Sequence, residues 1–150
     1  IKESYVPYVI ETSIGLDRMF LTVLSHSFRE EKLENGESRV VLKIPAVLAP
    51  LKAAILPLTK KDEMPEKARE IMKSLQIDFN CQYEEKDSIG KRYRRQDAIG
   101  TPYCITVDHQ TLEDNTVTLR DRDTMEQERV AVEKLHSIIA KKVNIAKYLA

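Results

Sequence analysis

The chain has 150 residues, enough for one hydrophobic core or for a core with an appended fragment. Its 24 basic and 24 acidic residues give a formal charge of zero. This balance argues against non-specific binding to polyanions, which needs an excess of positive charge, but leaves room for a local basic patch.

The two cysteines and the hydropathy pattern indicate the compartment. Cys81 and Cys104 lie within strand-like runs, as expected for buried free thiols of a cytoplasmic protein. No apolar run approaches the roughly 20 residues that span a bilayer, so we expect no membrane association. The sequence starts without methionine, in the middle of an apolar pattern, and we expect it to be part of a longer protein.

The first segment is predicted to form a strand, a turn and a helix. Residues 5–10 are apolar and β-favouring, and residues 13–15 suit a tight turn. Leu16 and Phe20 begin a helical spacing that continues through the next turn. Arg18 lies in the first turn, where the helix dipole disfavours a cation, so its position is better explained if it meets an anion.

A polar stretch follows, and with it the predicted domain boundary. Residues 29–38 contain Asn35-Gly36 and several glutamates, which predicts an exposed turn or linker. Residues 39–44 read as a short strand. Pro45 and Pro50 then bracket a non-helical connector. We therefore divide the chain into residues 1–45 and residues 46–150.

The second part reads β-α-β-α-β-β-β-α. Its expected elements are strands at 53–58, 77–83, 103–107, 117–119 and 126–132, and helices beginning near Pro65, Ser88 and Leu135. Strands that alternate with helices predict parallel pairing, and the later strands predict antiparallel edges. The fold class is therefore α/β, a mixed five-stranded sheet flanked by three helices. The alternation at 103–107 and 117–119 predicts a hairpin with a polar loop, one buried face and one face that displays arginines.

The corner between the first strand and the first helix is a candidate anion site. It holds the carboxylate of Glu11, the hydroxyl of Ser13, Gly15 and the guanidinium of Arg18. Glycine lets a ligand approach the backbone, and a guanidinium can hold a phosphate oxygen at a fixed angle. A helix cap with a surface salt bridge is the alternative.

Two basic groups form a second candidate site. They consist of Arg94 and Arg95 with their basic neighbours in 91–95, and of Arg120 and Arg122 with Asp123. Guanidinium groups can contact phosphates or unpaired bases, and carboxylates can accept from a cytosine amino group. Tyr93 and Tyr103 are possible stacking surfaces. The alternatives are a solvated helix face, surface ion pairs and core tyrosines. The histidines and cysteines lack metal-ligand spacing, so we predict no metal site.

These residues resemble a known family. The stretch ETSIGLDR at 11–18 is similar to motif 3 of class II aminoacyl-tRNA synthetases, in the version of the homodimeric glycyl-tRNA synthetases. SIGKRYRRQD at 88–97, GTPY at 100–103, LEDN at 112–115 and RDRDTMEQ at 120–127 resemble that family's C-terminal anticodon-binding domain. One departure is Thr12, where the family often has proline, which bears on the pose of Ser13.

The resemblance implies a function for the whole protein and a part for this chain. The full enzyme would be a cytoplasmic homodimer that activates glycine with ATP and Mg²⁺ and attaches it to tRNA-Gly. Arg18 and Gly15 match ATP-binding positions, Arg18 as the catalytic group, and Glu11 and Ser13 match positions around the glycine. Residues 1–45 would be the end of the catalytic domain, and the 150-residue chain by itself would have no catalytic activity. Residues 46–150 would bind the anticodon through Arg94, Arg95, Arg120, Arg122 and Asp123.

Two other interpretations stay open at this point. The chain could be a non-catalytic accessory module that binds tRNA. It could also come from a related class IIa synthetase for proline, threonine or histidine.

Overall fold

The computed structural model describes residues 3–33, 36–61 and 63–149. In chain order the helices are α1 (Leu16–Ser27), α2 (Met64–Leu75), α3 (Ile89–Ile99), α4 (His109–Asp114) and α5 (Leu135–Val143). The strands are β1 (Phe28–Lys32), β2 (Ser38–Leu42), β3 (Ala53–Pro57), β4 (Cys81–Tyr83), β5 (Tyr103–Val107), β6 (Thr116–Asp121) and β7 (Gln127–Ala131). Short 3₁₀ helices cover Val132–Lys134 and Ile145–Tyr148.

The main sheet confirms the predicted fold class. Its strands lie in the order β4-β3-β5-β6-β7; β3 pairs in parallel with β4 and β5, and β6 pairs antiparallel with both of its neighbours. The helices α2 and α5 pack on one face and α3 on the other. Strand β3, which lies between β4 and β5, is buried along its whole length, as its continuous apolar run predicts.

Sequence pattern accounts for most of these elements. The apolar spacing of Ala68, Ile71 and Leu75 places all three in the core beneath α2. Helix α3 ends at Gly100, whose φ of +85° suits glycine and closes the helix as predicted.

Three local predictions are wrong. Residues 5–10 form no strand, because no strand among the described residues pairs with them, and their side chains are exposed. Part of the predicted linker at 29–38 is strand β1, which pairs antiparallel with β2; Asn35 of that linker lies outside the described residues. The polar hairpin loop contains helix α4, whose first turn is capped by Asp108.

The β1–β2 hairpin packs onto the main domain. Strand β2 lies against α3. A Cβ atom at Gly100 would come within 2.8 Å of Ile44 Cγ2 and 3.0 Å of the Leu42 carbonyl oxygen. Glycine at this position therefore permits the close approach of α3 to the segment after β2. The domain boundary near residue 45 stays a prediction.

Lys52 fixes the connector between the hairpin and β3. Its Nζ donates to the carbonyl oxygens of Ala46, Val47 and Ala49 at 3.1, 2.9 and 2.7 Å. The ammonium group thereby closes the turn that follows Pro45, and burial lowers the pKa of Lys52.

Candidate nucleic-acid interface

The segment at 11–18, which resembles motif 3, is exposed along its length. Gly15 is the N-terminal cap residue of α1, and its carbonyl accepts from Met19 N at 3.0 Å, which confirms the predicted start of the helix. The Arg18 guanidinium faces solvent and makes no hydrogen bond or ion pair with any described residue. Glu11 and Ser13 are also exposed. All four predicted ligand-binding residues are exposed, and their roles stay predictions.

A cleft of about 240 Å³ opens between α3 and the turn that joins β6 to β7. The lining residues are Gly90, Tyr93, Arg94, Arg120, Met125 and Gln127. Gly90 and Arg94 lie one helical turn apart on α3, and nothing lies within 4 Å of a Cβ atom built at Gly90. The cleft therefore combines two arginines, an aromatic ring, a thioether and an amide.

Arg120 forms the buried side of this cleft. Its Nη1 donates to Asp97 Oδ1 at 2.8 Å and its Nη2 to Asp97 Oδ2 at 3.0 Å, a bidentate pair in which the side chains are 5% and 0% exposed. The guanidinium carbon lies 4.8 Å from the centre of the Tyr93 ring. Burial opposes the charge, but the hydrogen bonds and charge of Asp97 outweigh it and raise the pKa of Arg120.

Tyr93 is fixed by its own polar contact. Its hydroxyl lies 2.6 Å from Thr106 Oγ1 on the neighbouring strand β5. The ring therefore keeps its angle to the guanidinium of Arg120. Tyr103, the other predicted stacking residue, lies on the opposite face of the sheet, where it packs with the α2–α5 core and the ammonium of Lys142 is 5.6 Å from its ring centre.

Arg122 is also buried, with a different set of partners. Its Nη1 donates to the carbonyl oxygens of Leu42, Ile44 and Gly100 at 3.0, 3.0 and 2.8 Å. Its Nε and Nη2 donate to the two carboxylate oxygens of Asp123 at 2.8 and 3.1 Å. Arg122 thus ties the segment after β2 to the end of α3.

The expectation that the β6 strand displays its arginines is therefore wrong. The face of β6 that carries Arg120 is covered by α3, which supplies the countercharge of Asp97. A fully solvated helix face, one alternative for the basic residues at 91–95, is wrong for Arg92, because Arg92 is 2% exposed and donates to the carbonyls of Pro57 and Glu84. Helix α3 thus sends arginine side chains inward as well as outward.

Of the other predicted anticodon residues, Arg94 shares the cleft with Arg120, whereas Arg95, Arg122 and Asp123 do not line it. Arg94 lines the cleft, with a side chain 38% exposed and Glu37 3.7 Å away. Arg95 is held by Glu84 and by Asp87, the latter at 2.9 Å, and does not line the cleft. Lys91 is exposed on α3. Direct RNA contact by Arg95, Arg122 and Asp123 stays a prediction.

Met125 and Gln127 were not among the predicted site residues. Met125 has a φ of +62°, a backbone conformation that residues other than glycine rarely adopt. The carboxylate of Asp121 accepts from the backbone N–H groups of Asp123 and Thr124 at 2.7 and 3.3 Å and shapes the turn that carries Met125. A long apolar side chain is thereby held at the mouth of the cleft.

Two further observations concern the described residues as a whole. No three His, Cys, Asp or Glu side chains among them are grouped closely enough to hold a metal ion. None of the helices in the described ranges is long and apolar enough to cross a membrane.

A comparison with known families identifies the main domain. The family described as "Anticodon binding domain" matches residues 52–142, more than half of the chain. The chain belongs to the anticodon-binding domain family. All six residues that line the cleft lie within the matched range, whereas the β1–β2 hairpin and Arg39 lie outside it.

The curated relatives have one name in common. The chain is 54% identical over 141 residues to a glycine–tRNA ligase of Clostridium acetobutylicum, a match that covers 94% of this chain and 30% of the relative. It is 53% identical over 138 residues to a glycine–tRNA ligase of Borreliella burgdorferi, covering 92% of this chain and 31% of the relative. The chain thus spans about 30% of the length of the curated relatives it matches, in their C-terminal part.

Solved structures confirm the fold at low sequence identity. The RNA-binding domain of a threonyl-tRNA synthetase from Cryptosporidium parvum superposes with a TM-score of 0.61 at 24% identity, over 67% of this chain and 25% of that one. A prolyl-tRNA synthetase from the same organism gives 0.64 at 18% identity, over 80% and 31%. Both superpositions support the mixed α/β fold described above.

Proposed function

We propose that this chain is the anticodon-reading part of a glycine–tRNA ligase, and that the cleft beside Arg120 receives an unpaired base of the anticodon loop. The observation that carries this proposal is the placement of a buried, ion-paired arginine against a tyrosine ring in an open cleft. Specific RNA recognition mostly targets unpaired bases, which stack on aromatic or guanidinium planes and bond through their edges.

Arg120 is the residue best placed to read a base. Two of its N–H donors are used on Asp97, and a guanidinium has further donors in the same plane. Its orientation is fixed by the bidentate pair with Asp97, so little side-chain entropy is lost when a base binds. Arg122 has fewer N–H donors left for a base, because three carbonyl oxygens and the carboxylate of Asp123 accept from it.

The walls of the cleft supply stacking and charge. Met125 and Tyr93 offer apolar surface to the flat face of a base. Arg94 at the rim and the exposed Lys91 on the same helix suit the phosphates on either side of it. The formal charge of the chain is zero, so such contacts are local and base recognition carries the specificity.

The test of this proposal is binding of a tRNA-Gly anticodon stem–loop to wild type, Arg120→Met and Met125→Gly. We expect Arg120→Met to weaken binding by about 1–3 kcal/mol and to reduce discrimination against a substituted anticodon base. Met125→Gly touches no ion pair and suits the positive φ, so it should fold while binding several-fold more weakly.

Arg129→Met is the matched control for this experiment. Arg129 pairs with Asp108 at 2.6 Å and lies outside the cleft. Its replacement should leave RNA binding unchanged. Wild-type affinity and discrimination in both Arg120→Met and Met125→Gly would contradict the proposal.

The proposal for the whole protein is that it attaches glycine to tRNA-Gly in the cytoplasm, as a homodimer, through an ATP-derived glycyl-adenylate. The names of the relatives support it, as does the exposed and unpartnered guanidinium of Arg18. Arg18 and Gly15 would contact the ATP phosphates, and Glu11 and Ser13 would lie around glycine. We assign no Mg²⁺ ligand to the described residues, which offer no cluster of three donor side chains.

A guanidinium at Arg18 would act on the charge of the reacting phosphates. Adenylate formation builds negative charge at the phosphate that is attacked, and a fixed cation stabilises that charge without reorganisation. Removal of one such donor commonly raises the barrier by roughly 2–4 kcal/mol. Glycine is small enough for a tight pocket to exclude larger amino acids by steric contact alone.

Glycine-dependent ATP–pyrophosphate exchange by the whole protein tests this second step. Exchange should occur with glycine and not with threonine, proline or histidine, and Arg18→Ala should slow it by at least tenfold. Arg29→Ala, on the exposed edge of β1, is the control and should retain exchange. Normal exchange in Arg18→Ala would remove Arg18 from its role, and no exchange in wild type would favour the accessory module.

A further inference from the structure

Arg39 is a buried arginine that lies outside the matched anticodon-binding domain. It is on β2, is 2% exposed, and precedes the matched range by 13 residues, from 39 to 52. Its Nε donates to Glu31 Oε2 at 2.8 Å, which fixes one side of the guanidinium to the neighbouring strand β1. Arg39 does not itself line the cleft.

The other side of Arg39 contacts the carboxylate that holds Arg120. Its Nη1 donates to Asp97 Oδ2 at 3.1 Å and to the Arg122 carbonyl oxygen at 3.0 Å. Asp97 Oδ2 also accepts from Arg120 Nη2 at 3.0 Å. One carboxylate oxygen therefore joins a guanidinium from the hairpin to the guanidinium that lines the cleft.

The geometry of these contacts makes Arg39 and Arg120 dependent on each other. A buried carboxylate can turn about its side-chain bonds unless donors approach it from more than one direction. Arg120 approaches Asp97 from the sheet, and Arg39 approaches it from the hairpin. Loss of Arg39 would free Asp97 to turn and would change the direction in which Arg120 presents its remaining donors.

We propose that Arg39 is a positioning residue for anticodon reading, acting through Asp97 on Arg120. The inference rests on the proposed function of the cleft. It makes the β1–β2 hairpin part of the RNA-reading unit, although the hairpin precedes the matched domain. The effect passes through two direct contacts, from Arg39 to Asp97 and from Asp97 to Arg120, and does not require a chain of further residues.

The test measures a ratio of affinities, which loss of folded protein alone does not change. The probes are the tRNA-Gly anticodon stem–loop and the same RNA with one anticodon base substituted. The variants are Arg39→Met, Arg39→Lys, Arg120→Met and the double variant, with Arg29→Met as the control. Arg29 lies on the same hairpin and is exposed, and its Nη1 contacts only the Phe28 carbonyl, at 2.7 Å.

We expect Arg39→Met to lower the discrimination ratio by about fivefold, the lower end of what loss of a base contact produces. Arg39→Lys should restore part of the ratio, because it keeps a cation beside Asp97. Since Arg39 acts through Arg120, the double variant should discriminate no worse than Arg120→Met alone. Arg29→Met should match wild type.

The outcomes separate this inference from the function on which it rests. A wild-type ratio in Arg39→Met, or losses that multiply in the double variant, would overturn the positioning role while leaving the cleft in place. If Arg120→Met itself keeps the wild-type ratio, Arg39 has no base-reading residue to position and its role fails; wild-type affinity and discrimination in both Arg120→Met and Met125→Gly would contradict the proposed function of the cleft as well.

Discussion

The same kinds of side chain are exposed in one region of this chain and buried in another. In the arm, residues 3–27, apolar side chains such as Ile10 and Leu16 are 96% and 81% exposed. In the sheet domain, residues 53–143, Leu56 and Leu135 are fully buried. Residue type alone therefore does not decide burial here, because an apolar side chain needs a packed neighbour. An exposed apolar surface of this extent is typical of a region that packs against further protein.

The arginines show the same contrast. Arg18 in the arm has its guanidinium in solvent, whereas Arg120 and Arg122 in the sheet domain have theirs in a shell of oxygen atoms. All three were predicted to meet an anion. A guanidinium that meets carboxylates or carbonyls within its own chain holds structure together, and only its remaining donors can serve a ligand.

Removal of a buried charge should give the largest difference between the two regions. Asp97→Ala leaves the guanidinium of Arg120 buried without a carboxylate and removes one of the two carboxylates that Arg39 contacts, and we expect a loss of about 3–5 kcal/mol in the free energy of unfolding. Asp17→Ala, on the exposed face of the arm helix, should change it by about 0.5 kcal/mol or less. Urea denaturation measures both. Equal losses in the two variants would mean that the buried ion pairs contribute nothing to the free energy of unfolding.

A pair of leucines tests the hydrophobic side of the contrast. Leu135→Ala removes a fully buried side chain from the α2–α5 core and should cost about 3 kcal/mol. Leu16→Ala removes a side chain that is 81% exposed and should leave the stability of this chain nearly unchanged. Thermal unfolding at matched concentrations gives the comparison, and a large loss in Leu16→Ala would show that the arm packs within this chain.

Two glycines of the same helix should respond with opposite signs. Gly100→Ala would combine a positive φ with contacts to Ile44 and Leu42, and a loss of about 2 kcal/mol is expected. Gly90→Ala lies in the first turn of α3 with open space around the added Cβ, and should stabilise by about 0.5 kcal/mol. The same denaturation measurement decides, and a neutral Gly100→Ala would show that the hairpin can shift away from α3.

The periodic parts of the fold could be predicted from the sequence. Helix α2 follows from one apolar stripe and a proline near its start, and β3 follows from an unbroken apolar run. Strand β1 could not be predicted in this way. Four of its five residues are charged, and its structure depends on pairing with β2. The arm strand was predicted from apolar residues whose pairing partner is not among the described residues.

The candidate site shows a similar limit. The sequence predicted five anticodon-binding residues. Arg94 and Arg120 line one cleft, whereas Arg95, Arg122 and Asp123 do not line it. The sequence could not separate Arg120 from Arg122, because their partners are distant. Asp97 is 23 residues from Arg120 and 58 from Arg39. The positive φ of Met125 likewise could not be predicted, because the residue type does not indicate this backbone conformation.

The clamp that Lys52 forms on three carbonyls has a consequence for the reach of the molecule. Because these three hydrogen bonds hold the connector in one conformation, it does not act as a flexible linker, and they help to set the distance from the hairpin to β3. An inserted residue between Pro45 and Pro50 would therefore change the distance between the hairpin and β3.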